Sequence, residues 1–169
     1  PDIFTWDGAL RYWHSNDGLR RTTLLTQIRQ QNPQLAKQLL DNFWRTTPDT
    51  SRHQLLRTLA TNISMTDEPL LETALDDRQL LVRKAAIDLL GHLPDARFAQ
   101  RMIQYLPHFL HWENGKIIIH FPEELSPHML RDGIEKNNAN LNHVGICTRQ
   151  LSHLVASVPL DYWTSEWGI

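Results

Sequence analysis

Apolar residues recur along the first half of the chain with the spacing of one face of an α-helix. Between Leu80 and Leu93 they fall at helical intervals, at Val82, Ala85, Ala86, Leu89, Leu90 and Leu93. The same stripe occurs twice before, at Leu55, Leu56, Leu59, Ala60 and Ile63, and at Leu24, Leu25 and Ile28, with the earlier step one residue longer than the later. A period of about 30 residues is typical of helical repeat arrays, so the pattern predicts three copies of one unit.

A second set of helices is predicted between these stripes. Pro33 to Arg45 carries apolar residues at helical spacing and begins with a proline, which suits a first helical turn. A helix is also predicted over Asp67 to Leu75, with Thr66 or Asp67 as its N-cap. The unit is therefore a pair of short antiparallel helices, which completes its core by stacking on its neighbours. The predicted fold class is all-α, an α-α superhelix of stacked helix pairs, and the resemblance of residues 71–95 to a HEAT repeat implies that it is HEAT-like.

The pattern changes after a further helix over Asp95 to Leu106. Two apolar runs, Phe109 to Trp112 and Ile117 to Phe121, flank the dipeptide Asn114-Gly115. Asn-Gly favours a two-residue hairpin turn, since both of its positions need positive φ. A β-hairpin is therefore predicted over 109–121.

Helices resume after the hairpin. The predicted elements are a helix over Ser126–Lys136, a loop over Asn137–Asn142, a helix over His143–Val158 and a terminal turn over Leu160–Trp163. We expect one helical repeat domain over 1–169, with repeats over 17–106 and C-terminal helices over 126–165. Because readable sequence begins at Pro1, we expect a segment of a longer protein. Trp6 to Trp13 then belongs to a helix whose partner lies upstream.

Composition narrows the classes of function. Seventeen Lys and Arg against 19 Asp and Glu give a net charge of −2, whereas nucleic-acid-binding domains usually carry a basic excess. The single cysteine, Cys147, permits no intrachain disulfide and is expected on an apolar helix face. The sequence shows neither a signal peptide nor an apolar run of the ~18 residues that a spanning helix needs. The cytoplasm is the expected location, with no membrane and no nucleic-acid partner.

Candidate chemistry is sparse. His108, His111 and His120 surround the hairpin, but a zinc site needs three or four converging ligands, so we expect no metal. No nucleophile-elbow, P-loop or dinucleotide-binding motif occurs, and we expect neither a catalytic residue nor a cofactor. Among the six tryptophans, Trp44, Trp112 and Trp163 are expected to fill gaps between repeats. An aromatic patch at a partner surface is the alternative.

The run from Leu71 to Asp95, LETALDDRQLLVRKAAIDLLGHLPD, resembles the second half of a HEAT repeat. The resemblance places Asp76 and Asp77 in the turn within the repeat and Arg83 at the start of the second helix. It implies that the turn aspartate and the helix arginine are structural and hydrogen-bond along the stack.

A longer resemblance is to an uncharacterised bacterial family of helical proteins. It rests on residues 71–102, on Met129 to Ile134 with Asp132 and Gly133 at its centre, on Arg149-Gln150-Leu151, and on Val158-Pro159 with Trp163. Members of that family are often encoded beside MoxR-type AAA ATPases and von Willebrand A-domain proteins. The resemblance implies a setting, with Asp132 and Gly133 structural, and no activity.

These observations predict a non-catalytic scaffold that binds a protein partner, whose identity and oligomeric state the sequence leaves open. Arg20, Arg21 and Lys84 are the candidate partner surface, and a solvated helix face is the plainer interpretation of these charges. The alternative function is an enzyme on a HEAT-like fold, similar to DNA glycosylases or bilin lyases. A third hypothesis is a segment that only spaces other domains.

Overall fold

A computed structural model of the chain describes residues 2–135 and 151–167, and about two-thirds of these residues are helical. The helices are α1 (Trp6–Ser15), α2 (Gly18–Gln31), α3 (Pro33–Phe43), α4 (Asp49–Arg57), α5 (Glu68–Ala74), α6 (Leu80–Leu90), α7 (Arg97–Tyr105), α8 (Pro127–Arg131), α9 (described over 151–156) and α10 (Leu160–Trp167). Short 3₁₀ segments occupy Trp44–Thr46, Thr58–Ala60, Met65–Asp67 and Leu106–His108. The strands β1 (Leu110–Glu113) and β2 (Lys116–Ile119) form one antiparallel hairpin. The prediction of an all-α protein with one small hairpin is confirmed.

The chain forms two compact units, residues 1–89 and residues 90–169. The single repeat domain predicted for 1–169 stays a prediction. None of the described helices is long and apolar enough to cross a membrane.

Along the chain, α1 to α6 follow one another as three successive helix pairs with a regular period. The second helices begin at Gly18, Asp49 and Leu80, which are equally spaced along the chain. Buried positions follow the same step, at Gly8, Ala9, Trp13, Leu24 and Ile28, then Leu39, Leu40, Trp44, Leu55 and Leu59, then Leu70, Leu71, Leu75, Ala86 and Leu90. Between the second and third copies, the step predicted from the apolar stripe is therefore one residue shorter than the observed step.

Two expectations for this region are corrected. The first helix has its partner within the chain, because α1 packs on α2 as the opening pair of the array. The second stripe also stops early. Ala60 is exposed and Ile63 is only half-buried, because α4 ends at Arg57 and continues for just one 3₁₀ turn.

A buried ion pair fastens the end of the second helix pair to α2. Arg29 is 1% exposed and Asp67 is fully buried, and two nitrogens of the guanidinium donate to the carboxylate at 2.9 and 2.8 Å. The guanidinium also donates to the carbonyls of Thr61 at 2.8 Å, Leu59 at 3.3 Å and Asn62 at 2.8 Å. The side-chain amide of Asn62, a residue with φ of 54°, donates back to the carbonyl of Arg29 at 3.0 Å. One side chain therefore supplies hydrogen-bond donors to the backbone carbonyls where the chain reverses over residues 59–67.

Replacing Arg29 with Met should lower the free energy of unfolding by about 3–5 kcal/mol, because the Asp67 carboxylate stays buried without its counter-ion. Chemical denaturation of the purified chain measures this loss. Arg20→Met, at an exposed position of the same helix, is the matched control and should change the stability by less than ~1 kcal/mol. Equal losses in the two variants would show that the pair does not hold this segment.

The second unit is built around α7 and the residues that follow it. One face of α7 buries Phe98, Ala99, Met102 and Tyr105. The helix predicted over 126–136 ends at Arg131, because Gly133 adopts φ of 90° and the amide of Ile134 donates to the carbonyl of Met129. This is a Schellman motif, which terminates a helix. The last helix, α10, is longer than the predicted turn, whereas Asn137–Asn142 and Cys147 lie outside the described residues.

Candidate functional site

The hairpin carries the largest group of exposed apolar side chains in the second unit. Its turn places Asn114 at φ of 50° and Gly115 at φ of 73°, the left-handed pair that a two-residue hairpin turn of type I′ requires. The predicted turn is therefore correct at both positions.

The strand register gives the hairpin one apolar face and one mixed face. Leu110 lies opposite Ile119 and Trp112 lies opposite Ile117, and cross-strand partners share a face. The other face carries His111 opposite Ile118 and Glu113 opposite Lys116. We call the set Trp112, Ile117 and Ile119 the apolar face.

The apolar face is open to solvent. Trp112 is 55% exposed, Ile117 48% and Ile119 50%. The expectation that Trp112 fills a gap between repeats is wrong, because more than half of its side-chain surface is exposed. The alternative, an aromatic patch at a partner surface, stays a prediction.

The base of the hairpin is fixed to the helical core. Phe109 and Leu110 are buried, while every residue from 111 to 120 is exposed. The amide of Phe109 donates to the carbonyl of Leu106, and the amide of His120 donates to the carbonyl of Phe109, both at 2.8 Å. Because a two-stranded hairpin alone is marginally stable, this anchorage is what presents the exposed strands in a defined position.

A cleft of about 350 Å³ lies in the same unit, beside the segment that leads out of the hairpin. Its walls combine polar and apolar groups, from Gln104, Tyr105, His108, Pro122, Glu124, Ser126 and Met129. This volume lies at the lower end of the range for small-molecule pockets. Besides Tyr105, the lining contains two other ionisable groups, the imidazole of His108 and the carboxylate of Glu124.

The tyrosine of this cleft is hydrogen-bonded to a buried carboxylate. The hydroxyl of Tyr105 donates to Asp132 at 3.0 Å, and Arg101 donates to the same carboxylate at 2.6 and 3.0 Å. Burial raises the pKa of Tyr105, and the Asp132 charge adds to the rise, bringing it to about 12. The hydroxyl therefore stays protonated near neutral pH, where it serves as a donor and not as a base.

Asp132 and Gly133, which the family resemblance marks as structural, occupy the end of α8. Asp132 is fully buried, and its backbone carbonyl lies 3.2 Å from Nε2 of His153. Gly133 holds the positive φ that ends the helix. These contacts agree with a structural use of both residues, although their role in a repeat motif stays a prediction.

The turn before α6 holds the aspartates and the arginine that the HEAT resemblance selects. Asp77 is buried, caps the amide of Gln79 at 2.8 Å and accepts from Arg52 at 2.8 Å. Arg83 donates to the backbone carbonyls of Asp77 at 2.7 Å and Arg78 at 3.0 Å. The neighbouring Asp76 is exposed. Asp77 therefore links Arg52 of α4 to the turn before α6.

An arginine recurs in the helix pairs, and its pairing with tryptophan is not evident from the apolar stripe alone. Arg21, Arg52 and Arg83 recur with the same period as the helix starts, each in the first turn of its second helix. Arg21 lies 5.2 Å over the ring of Trp13 and Arg52 lies 5.9 Å over the ring of Trp44, and these two tryptophans are separated by the same step. The third copy has Leu75 in place of tryptophan. Applying one constant step to arginine and tryptophan together would have revealed the pairing.

Only part of the predicted partner surface, which comprises Arg20, Arg21 and Lys84, is accessible. Arg21 is half-buried and its Nε donates to the carbonyl of Trp13 at 2.9 Å, so it is used within the first helix pair. Arg20 is exposed, with one hydrogen bond to Asn16 at 3.2 Å, and Lys84 is exposed on α6. Arg20 and Lys84 are therefore the accessible members of the set.

The hairpin histidines do not converge with other ligands. Within residues 2–135 and 151–167, no three His, Cys, Asp or Glu side chains are grouped so as to hold a metal ion. His111 lies opposite Ile118, and His120 follows the end of β2.

The described architecture is that of an all-helical protein with a projecting β-hairpin. The chain belongs to the family of unknown function DUF5691, whose model matches residues 5–169. This membership agrees with the resemblance to an uncharacterised family. No curated protein and no solved structure matches the chain.

Replacing Tyr105 with Phe should lower the free energy of unfolding at neutral pH by about 1.5–3 kcal/mol, the usual value of a hydrogen bond to a charged group. Because folding raises the pKa of Tyr105 from 10.0 to about 12, its contribution is complete below pH 10 and is lost as the pH rises towards 12. Denaturation of both proteins at a series of alkaline pH values should therefore show the difference shrinking. Tyr162→Phe, in the same unit, is the control. A difference that stays constant up to pH 12 would contradict this account.

Proposed function

We propose that this protein is a non-catalytic scaffold that binds a partner protein through the apolar face of its hairpin. The observation that carries the proposal is the exposure of Trp112, Ile117 and Ile119 on one side of an anchored hairpin. Contiguous exposed apolar groups with a polar surround mark interaction surfaces, and tryptophan is enriched among the residues that dominate binding energy.

The helical array is proposed to be HEAT-like. The regular period of the helix starts supports this, as does the turn aspartate Asp77 between Arg52 and Arg83. Such arrays are stabilised mainly by contacts between adjacent repeats and often serve as binding surfaces. In this proposal the repeats supply a stable frame and the hairpin supplies the contact.

The partner is proposed to be a protein of an AAA ATPase and von Willebrand A-domain system, acting in the cytoplasm. The support is the genomic setting of the family that the sequence resembles. The near-balanced charge also favours a protein partner over nucleic acid, since neutralising phosphates requires a basic surface.

Changing Ile117 and Ile119 together to Ser should reduce capture of the partner about tenfold or more, because anchors of this kind commonly contribute about 2 kcal/mol or above. The measurement uses the wild-type and variant chains as baits for purified AAA ATPases and von Willebrand A-domain proteins. The matched control is Ile118→Ser on the opposite face, which should retain capture. Circular dichroism checks that each bait remains helical. If the double variant and the control capture equally, the apolar face is not the binding surface.

The exposed basic residues give a separate prediction. Reversing Arg20 and Lys84 together to Glu should weaken capture and reduce its dependence on salt, because exposed charges act mainly through screened long-range attraction. The melting temperature should change little. Reversing Arg11 and Arg45 together to Glu, at two other exposed positions, is the charge-matched control. Arg21→Glu, in contrast, should destabilise the chain, since it removes the contacts with Trp13. Unchanged capture by the double variant would assign these charges to a solvated surface.

A further inference from the structure

The hydrogen-bonding pattern of the hairpin determines which backbone groups face outward. A two-residue turn closes on a hydrogen-bonded pair, here Glu113 with Lys116, and such pairs alternate with non-hydrogen-bonded pairs along the ladder. Trp112–Ile117 and Leu110–Ile119 are therefore non-hydrogen-bonded pairs. The bond from the amide of His120 to the carbonyl of Phe109 continues this alternation. It follows that the N–H and C=O groups of Ile117 and Ile119 point away from β1.

The outer edge of β2 is the more accessible edge of the hairpin. Every residue from Lys116 to His120 is exposed. The other strand begins at Leu110, which is buried against the helical part of its unit. The outer edge of β2 thus combines outward backbone groups with the apolar side chains of the same two isoleucines, Ile117 and Ile119.

We propose that the outer edge of β2 binds an extended segment of the partner as an added antiparallel strand. This inference rests on the protein-binding function proposed above and names the form of the bound partner. Strand addition obtains affinity from main-chain hydrogen bonds and specificity from alternate side chains. An apolar face alone would suit any apolar surface, whereas outward peptide groups at Ile117 and Ile119 select an extended backbone.

The side chains of β2 define the sequence that the added strand carries. Residues paired across strands share a face, so the partner residues opposite Ile117 and Ile119 are apolar. The other face of β2 carries Lys116, Ile118 and the following His120, with no acidic residue on the strand. Glu113 lies opposite Lys116 on β1, so an acidic residue beside Lys116 on the added strand would place this cation between two carboxylates. The partner segment therefore alternates apolar and polar residues and includes at least one carboxylate.

A second copy of this chain fits the edge less well. Pairing of β2 with itself about Ile118 would place Lys116 opposite His120 of the other copy, which supplies no carboxylate. Stacking two apolar faces would bury only three half-exposed side chains per copy, roughly a third of the ~800 Å² per partner in a standard interface. The charge therefore favours an acidic segment over a second copy in the same pairing, and the area disfavours a face-to-face dimer.

The test uses the full chain and synthetic peptides of alternating Val and Glu with blocked ends, with binding followed by calorimetry. In the proposed pairing the amides of the Val residues face β2 and those of the Glu residues face solvent. N-methylation of the Val amides should therefore weaken binding about tenfold or more, as loss of one or two hydrogen bonds implies, and N-methylation of the Glu amides should not. Replacing Glu with Lys should weaken binding as well. Absence of binding by the unmodified peptide, or equal binding by both methylated peptides, would overturn the proposal.

Protein variants separate the edge from the apolar face. Ile119→Pro removes an outward N–H and keeps the ladder bonds to β1, because proline is tolerated where a strand amide faces outward. Ile119→Val keeps the amide and is the control, and protection of the Ile118 amide from hydrogen exchange reports an intact hairpin. The proline variant should lose peptide and partner binding, and the valine variant should keep both.

The outcomes distinguish the two proposals. If Ile119→Pro captures the partner normally while the apolar-face variant does not, the scaffold proposal stands and strand addition is wrong. If the chain forms a dimer that the peptide displaces, the edge belongs to a second copy, and the proposed acidic partner is wrong.

Discussion

The guanidinium of Arg29 is the group on which the second and third helix pairs depend. The chain reverses over residues 59–67, between the 3₁₀ turns Thr58–Ala60 and Met65–Asp67, and three backbone carbonyls of this reversal accept from Arg29. Buried carbonyls need donors, and one arginine offers five N–H donors in a fixed plane. Arg29 meets three of these carbonyls and the Asp67 carboxylate at once. A hydrophobic residue of similar volume would leave those carbonyls unsatisfied, which explains a charge inside the apolar stripe.

Side chains donate to backbone carbonyls or to a buried carboxylate at other turns of the molecule as well. Arg83 donates to the carbonyls of the turn before α6, and Arg101 and Tyr105 satisfy the buried Asp132 at the end of α8. Short helices have a high proportion of unpaired terminal groups, because each end leaves four backbone donors or acceptors without partners. The helices that are described over their full length span 5 to 14 residues and therefore require many side chains at their turns. This requirement, more than the binding of a ligand, accounts for the buried charges of the described residues.

Patterns of apolar residues are sufficient to predict the helices and the hairpin, because burial of one face is a local property of sequence. Contacts between residues that are far apart in the sequence are harder to predict from it. The sequence indicates Asp67 only as an N-cap, and Arg29 continues an apolar stripe without any sign of burial, since its partners lie in a distant part of the chain. The end of α8 differs from the prediction because a single glycine, Gly133, outweighs the helical pattern around it. The exposure of Trp112 differs from the prediction because the sequence indicates which face of a strand is apolar but not whether other residues cover that face.

In the proposed function, the hairpin separates stability from recognition. Phe109 and Leu110 bury the start of β1, so the cost of ordering the two strands is met partly inside the helical unit. The exposed apolar side chains begin beyond that point and add little to the fold. Changes at Ile117 or Ile119 can therefore alter binding without loss of the core, whereas changes at Phe109 would affect both. An exposed strand edge is also a hazard for aggregation, which proteins commonly reduce with charged residues or with very short strands. Here β2 spans four residues and starts with Lys116, so the edge remains open to a specific strand while offering little length to a nonspecific one.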